Sequence, residues 1–178
     1  MSVRAGIGYD SHRLVAGRSL VLGGVELESE LGLEGHSDAD VLTHAVIDAL
    51  LGAAGLGDIG IHFPDSDERY RDADSIELLV VAVALVRAAG YTIVHVDTTL
   101  ALETPKLGGA RERIRARLAR ALAVDASAVN VKATTGEAIG FVGRREGVAA
   151  LAIVTVDGLG AERGWTLSFA STTPPPAR

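Results

Sequence analysis

The stretch His36-Ser37-Asp38-Ala39-Asp40-Val41-Leu42-Thr43-His44 puts two histidines, two aspartates and a serine at the head of an amphipathic segment. Asp38 and Asp40 suit a helix start, where a carboxylate accepts from N–H groups that have no partner inside the helix. The spacing predicts a helix from about Asp38 to Ala54, with Val41, Leu42, Ala45, Val46, Ala49 and Leu50 on its apolar face. Asp40, His44 and Asp48 recur at every fourth position, on a stripe beside that face. His44 therefore stands at the margin of a buried surface, where an imidazole needs a partner.

Toward the N-terminus, Val3 to Tyr9 alternates as a strand that ends at Gly8-Tyr9-Asp10-Ser11-His12. Leu20–Leu22 and Val25–Leu27, split by Gly23-Gly24, read as a hairpin. The following Glu30 to Gly35 does not read as a buried strand. Toward the C-terminus, the glycines from Gly52 to Gly57 stop the first helix, and Asp58 to Asp67 is loop by composition. Asp74 with Glu77 forms a capping-box pattern for a second helix closed by Gly90. Tyr91 to Leu102 is a β-branched strand. Gly108 to Ala123 is an amphipathic helix with Ile114, Leu118, Ala121 and Leu122 inward and arginines outward. Val129–Ala133 and Val148–Val156 are the last strands, with a loop from Thr134 to Gly147 between them.

This order contains two β-α-β crossovers and predicts an α+β fold, a two-layer sandwich with a mixed sheet and helices on one face. No helix is left for the other sheet face, so a partner subunit is expected to cover it. At 178 residues, 48% hydrophobic and 22% charged, the chain suits one globular domain over residues 1–157. Residues 158–178, rich in Gly, Ser, Thr and Pro, read as a C-terminal tail or arm. A formal charge of -6 argues against a general nucleic-acid or membrane-surface binder, both of which need a basic face. Without cysteine, any metal must be held by His, Asp or Glu. The longest apolar run, Leu78 to Val86, is too short for a bilayer, no signal segment is read, and the expected location is the cytoplasm.

Asp10 and His12 are two apart at a strand end, so they point the same way. With His44 they make an Asp-His-His set suited to Zn²⁺ with a position open for substrate; capping and hydrogen bonding explain the same residues without a metal. Gly35-His36-Ser37-Asp38-Ala39 approaches a nucleophile elbow but lacks the strand that should lead into Ser37. As a helix N-terminus, the same segment is a ready anion site. Lys132 and Thr134-Thr135-Gly136-Glu137 combine a cation, hydroxyls and a carboxylate suited to phosphate with Mg²⁺, or else form a polar turn. Thr104-Pro105-Lys106 reads alike, and the arginines of Phe141 to Gly147 are either solvated or face an anion.

The motifs Gly-Tyr-Asp-x-His, His-Ser-Asp-x-Asp-x-x-x-His, Asp-Ile-Gly-x-x-Phe-Pro-Asp-x-Asp, Pro-Lys, Asn-Val-Lys-Ala-Thr-Thr-x-Glu and Gly-Phe-x-Gly-Arg follow one another in order between Val3 and Val156. Together they resemble the 2-C-methyl-D-erythritol 2,4-cyclodiphosphate synthase family of the non-mevalonate isoprenoid pathway. The resemblance implies a homotrimer with ferredoxin-like β-α-β units, joined through the open sheet faces, with active sites between subunits. It implies Zn²⁺ on Asp10, His12 and His44, and Mg²⁺ or Mn²⁺ bridging the diphosphate with Glu137. His36 and Thr135 match positions that stabilise the transition state. Asp10, His12, His36 and Ser37 match substrate-binding positions, and Asp58, Gly60, Phe63, Asp65 and Asp67 match contacts to the sugar. Leu102, Pro105, Lys106, Lys132, Thr134, Thr135 and Glu137 match the cytidine diphosphate pocket, and Phe141 and Arg144 a site on the trimer axis. The reaction implied turns 4-diphosphocytidyl-2-C-methyl-D-erythritol 2-phosphate into the cyclodiphosphate and CMP. A metal-dependent phosphohydrolase would use the same ligands. Ala39 and Arg145 stand where the family commonly has Gly, Gly136 where it has Thr, and Glu103 where it has Gln.

Overall fold

The computed structural model describes residues 2–158. Its framework is a long strand, β1 (Val3–Ala16), followed by a hairpin of β2 (Leu20–Leu22) and β3 (Val25–Leu27) and a short β4 (Leu31–Leu33). Helices α1 (Val41–Ala54), α2 (Ile59–His62) and α3 (Ser75–Ala88) come next. Then come β5 (Tyr91–Ala101), α4 (Ala110–Leu122), β6 (Val129–Thr134), α5 (Gly140–Gly143) and β7 (Gly147–Gly158). The main sheet has the order β4-β1-β7-β5-β6, and the β2-β3 hairpin stands apart from it. Only β5 and β6 pair in parallel, joined through α4. The chain leaves β1 through α1 and α3 and returns in β5, which runs the same way as β1 with antiparallel β7 between them. The expected mixed sheet is present, with one of its two crossovers split by an inserted strand.

The core lies on one side of the sheet. Val96, Leu100, Val131, Val148, Ala150, Val154 and Val156 point there and meet buried residues of α1, α3 and α4. Among the described residues nothing covers the opposite face: Ile7 (69% exposed) sits beside Ile153 (49%), and Tyr9 (54%) beside Leu151 (41%), as cross-strand neighbours. This is the two-layer arrangement the residue pattern predicts.

Helix α1 rests directly on the backbone of β1. A Cβ at Gly6 would fall 2.0 Å from Ala49 O, and one at Gly8 would fall 1.9 Å from Ala45 O. These glycines are the floor on which α1 lies, and because side chains alternate along a strand, Asp10 and His12 face the helix too.

Several boundaries differ from the sequence reading. β1 does not end near His12, because Asp10 pairs with Ala150 and His12 with Val148, so the ladder continues to Ala16. Residues 31–33 do form a strand, pairing with Leu14–Ala16; Gly32 masked the alternation and is buried with no space for a side chain. α1 begins at Val41, since Ala39 adopts a left-handed φ of 58° and Asp40 is the N-cap. The loop from Thr134 to Gly147 contains α5. The expected 158–178 tail lies, from residue 159, outside the described residues.

Candidate metal centre and its flanking clefts

Asp40 is fully buried, and its carboxylate accepts from the N–H of Gly23 (2.8 Å) and Gly24 (2.6 Å) and from Thr43 N–H (3.1 Å) and Oγ1 (2.7 Å). It joins the hairpin turn to the start of α1, and burial pushes its carboxyl above the usual range despite these donors. Asp40 is therefore a structural cap and not a ligand.

One turn later, His44 meets β1. Its Nδ1 lies 3.0 Å from Asp10 Oδ2 and 3.1 Å from His12 Nε2, and His12 Nε2 lies 3.0 Å from the same carboxylate oxygen. Side chains of all three are largely covered, at 27% exposure for Asp10, 20% for His12 and 11% for His44. Among the described residues this is the group of three whose ligand atoms could share an ion. Tetrahedral ligands about 2.0–2.1 Å from Zn²⁺ stand about 3.3 Å apart, so the donor atoms and their spacing fit a small divalent cation. Burial disfavours the Asp10 and His44 charges, but the hydrogen bonds and attraction between them prevail. Asp10 is held far below the ordinary carboxyl range, and the His44 imidazolium above its ordinary value. Behind His44, Nε2 contacts Ser75 Oγ (2.9 Å) and Ser37 Oγ (3.1 Å).

The triad opens on a cleft of about 470 Å³ that also gathers His36, Ser37, Gly60, Phe63 and Asp65, with Asp48, Pro64 and Tyr70. His36 Nε2 is 3.3 Å from Asp67 O. Asp48 accepts Ile59 N–H at 2.8 Å, and burial raises its carboxyl above the usual range. Two expected contacts are not on the lining. Asp58 caps α2 through Ile61 N–H, and the Asp67 carboxylate is held by the Arg69 guanidinium, 2.6 Å from Nη2.

A second cleft, of about 420 Å³, gathers Leu102, Pro105, Lys106, Thr134, Thr135 and Glu137, together with Arg111 from the outward arginine face of α4. Glu137 thus lies in this second cleft and not in the Asp10–His12–His44 group. Thr135 Oγ1 donates to its carboxylate. Lys132 is outside both clefts, on the open sheet face, with Nζ 2.5 Å from Asp97 Oδ2. Phe141 joins Ser11, His12 and Gly147 around a smaller cavity of about 240 Å³, and Arg144 pairs with Glu146 at 2.9 Å.

Sequence reasoning missed the partners that order these side chains. Ser75 carries no local signal beyond following the Asp74 cap. Glu103 accepts Gly136 N–H at 2.8 Å and so anchors the Thr135–Glu137 turn, a contact across 33 residues.

Fold and site define an α+β protein with a three-ligand group suited to a divalent cation, set beside a polar cleft. The YgbB family model matches residues 3–157, and the chain belongs to that family. It is 58% identical over 154 residues to the 2-C-methyl-D-erythritol 2,4-cyclodiphosphate synthase of Salinibacter ruber, covering 86% of this chain and 98% of that one. The synthase of the same name from Alkaliphilus oremlandii is 55% identical over 154 residues, with the same coverage. A solved structure of a 2C-methyl-D-erythritol-2,4-cyclodiphosphate synthase in a CDP-bound form superposes with a TM-score of 0.80 at 40% identity, covering 86% of this chain and 100% of that one.

Proposed function

We propose that this chain converts 4-diphosphocytidyl-2-C-methyl-D-erythritol 2-phosphate into 2-C-methyl-D-erythritol 2,4-cyclodiphosphate and CMP, in the cytoplasm, as a homotrimer. The cyclodiphosphate synthase activity is that of its relatives; the reaction course and residue roles are our reading. The Asp10–His12–His44 group beside a cleft of substrate size carries it.

An oxygen of the 2-phosphate attacks the β-phosphorus, the bond from that phosphorus to the CMP oxygen breaks, and the ring closes. A phosphate is already ionised near neutral pH, so no strong general base is required. The protein must instead hold a flexible polyanion with nucleophile and leaving group in line, an effect worth about 7–11 kcal/mol in well-oriented systems. Bringing like charges close costs about 4 kcal/mol per pair at intermediate dielectric. Lys106, Lys132 and the donors of the two clefts offset that cost. Asp10, His12 and His44 would hold Zn²⁺, and Glu137 would take part in holding Mg²⁺ or Mn²⁺; such cations supply charge neutralisation and orientation of the diphosphate. His36 and Thr135 steady charge on the reacting phosphates. Asp58, Gly60, Phe63, Asp65 and Asp67 are read as sugar contacts, and Leu102, Pro105, Lys106, Lys132 and Thr134 as the cytidine diphosphate pocket. Phe141 and Arg144 are read as lining the trimer axis.

The trimer explains why the two sets of residues occupy separate clefts of one chain: each active site would combine the metal cleft of one subunit with the nucleotide pocket of the next. The exposed pairs Ile7–Ile153 and Tyr9–Leu151 supply an apolar surface for that contact. Incubation of the purified protein with the diphosphocytidyl substrate, Zn²⁺ and Mg²⁺ tests the reading. Equimolar CMP and cyclodiphosphate are expected; release of inorganic phosphate without cyclisation would instead establish a phosphohydrolase.

A further inference from the structure

His44 engages both ring nitrogens. Nδ1 faces Asp10 Oδ2 at 3.0 Å and His12 Nε2 at 3.1 Å, while Nε2 points the other way, 2.9 Å from Ser75 Oγ. Ser75 is fully buried at the first position of α3. Its hydroxyl lies 2.5 Å from Asp38 Oδ1, and its backbone N–H donates to Asp38 Oδ2 at 3.1 Å. A carboxylate only accepts, so the single hydroxyl proton of Ser75 goes to Asp38. Ser75 Oγ is left with lone pairs toward His44 and so favours the proton on His44 Nε2, in competition with the Asp10 carboxylate, which accepts at Nδ1. In the neutral ring this leaves the Nδ1 lone pair facing Asp10 and His12.

We propose that Ser75 and Asp38 are positioning residues for His44, a carboxylate–hydroxyl–imidazole chain that selects the Nε2–H tautomer and so presents Nδ1 to a divalent cation. The inference deepens the metal reading above and rests on it. Metal-bound histidines generally donate their other N–H to a fixed acceptor, which sets both tautomer and ring orientation. Here the acceptor is itself fixed by Asp38, which lies just before α1, while Ser75 starts α3. The mouth of the site is thus held by both helix starts. Ser37 Oγ, 3.1 Å from Nε2, is a second and longer acceptor that remains if Ser75 is removed.

The two residues therefore predict different variants. Ser75→Ala removes the chain but leaves Ser37 to accept from Nε2–H. Asp38→Asn keeps the shape and reverses the polarity: an amide N–H can donate to Ser75 Oγ, whose proton then turns to His44 Nε2 and drives the proton of the ring to Nδ1.

The test uses metal-free full-length protein with ¹⁵N-labelled histidine, at alkaline pH where the rings are neutral. Long-range ¹H–¹⁵N spectra read the His44 tautomer, and chelator competition reads Zn²⁺ affinity; circular dichroism and thermal melting follow the fold. Wild-type protein is expected to show Nε2–H. Asp38→Asn is expected to shift His44 toward Nδ1–H and weaken Zn²⁺ binding about 10–100-fold, with Ser75→Ala between it and wild type. A wild-type His44 protonated on Nδ1 would overturn the proposal. So would wild-type Zn²⁺ affinity in both variants when His44→Ala has lost the metal. Should Asp38→Asn not fold, the wild-type tautomer and Ser75→Ala still decide. If His44→Ala keeps full Zn²⁺ affinity, the metal assignment itself fails, a result separate from the tautomer reading.

Discussion

At the scale of single residues, the metal group is defined by charge and by protons. Asp10→Asn or His44→Ala removes one of three ligand atoms and is expected to abolish bound Zn²⁺ and turnover together, as read by elemental analysis and product formation. Protons compete with the cation for the histidines. Because Asp10 raises the His44 pKa, that competition begins above the ordinary imidazole value and deepens as pH falls. Zn²⁺ affinity and activity should therefore drop as pH is lowered through about 6.5, and a flat profile down to about pH 5 would contradict histidine ligation. Arg145 is a different case. It is exposed, with a left-handed φ of 58°, at a position where the resembled family commonly has Gly. Arg145→Gly should stabilise the protein by about 0.5–1 kcal/mol, visible as a raised Tm.

At the scale of elements, the site depends on how closely α1 lies on β1. Gly8→Ala would place a methyl 1.9 Å from the Ala45 carbonyl oxygen, so the helix must lift. The expected cost is about 1–3 kcal/mol from overpacking, with weaker Zn²⁺ binding because His44 rides on that helix while Asp10 and His12 stay on the strand. Unchanged Zn²⁺ affinity in a destabilised Gly8→Ala protein would show that the metal group tolerates movement of the helix. That Gly6 and Gly8 are a helix seat is not legible locally, since the clashing atoms belong to Ala45, Ala49 and Ala53. The hairpin at Gly23-Gly24 was legible from its turn, but its attachment to α1 through Asp40 was not.

At the scale of the whole molecule, the proposed assembly through the open sheet face would bring the two clefts together. Ile7→Lys with Ile153→Lys places two like charges side by side on that face, where the wild-type chain has an apolar pair. The proposed assembly should then fall apart to monomers by light scattering and lose turnover while each chain still binds Zn²⁺. Lys132→Ala tests a residue of that same face: turnover should fall with metal and assembly retained, and full activity would count against assigning Lys132 to the diphosphate pocket. No helix of the described residues is long and apolar enough to cross a membrane.

The sequence by itself determined the elements with strong local signals: the periodic helices, the β-branched strands, the glycine turn, and the residue types that could hold a metal. It also determined the family, because ordered motifs survive without coordinates. Only the tertiary structure decided that Asp10, His12 and His44 share one point, that Glu137 and Lys132 lie apart from it in a single chain, and that Ser75, 31 residues from His44, supports its far nitrogen. The reason is physical. Periodicity and capping depend on neighbours a few residues away, whereas ligand geometry depends on how closely two backbones approach, and here that distance is set by glycines on one element and carbonyls on another.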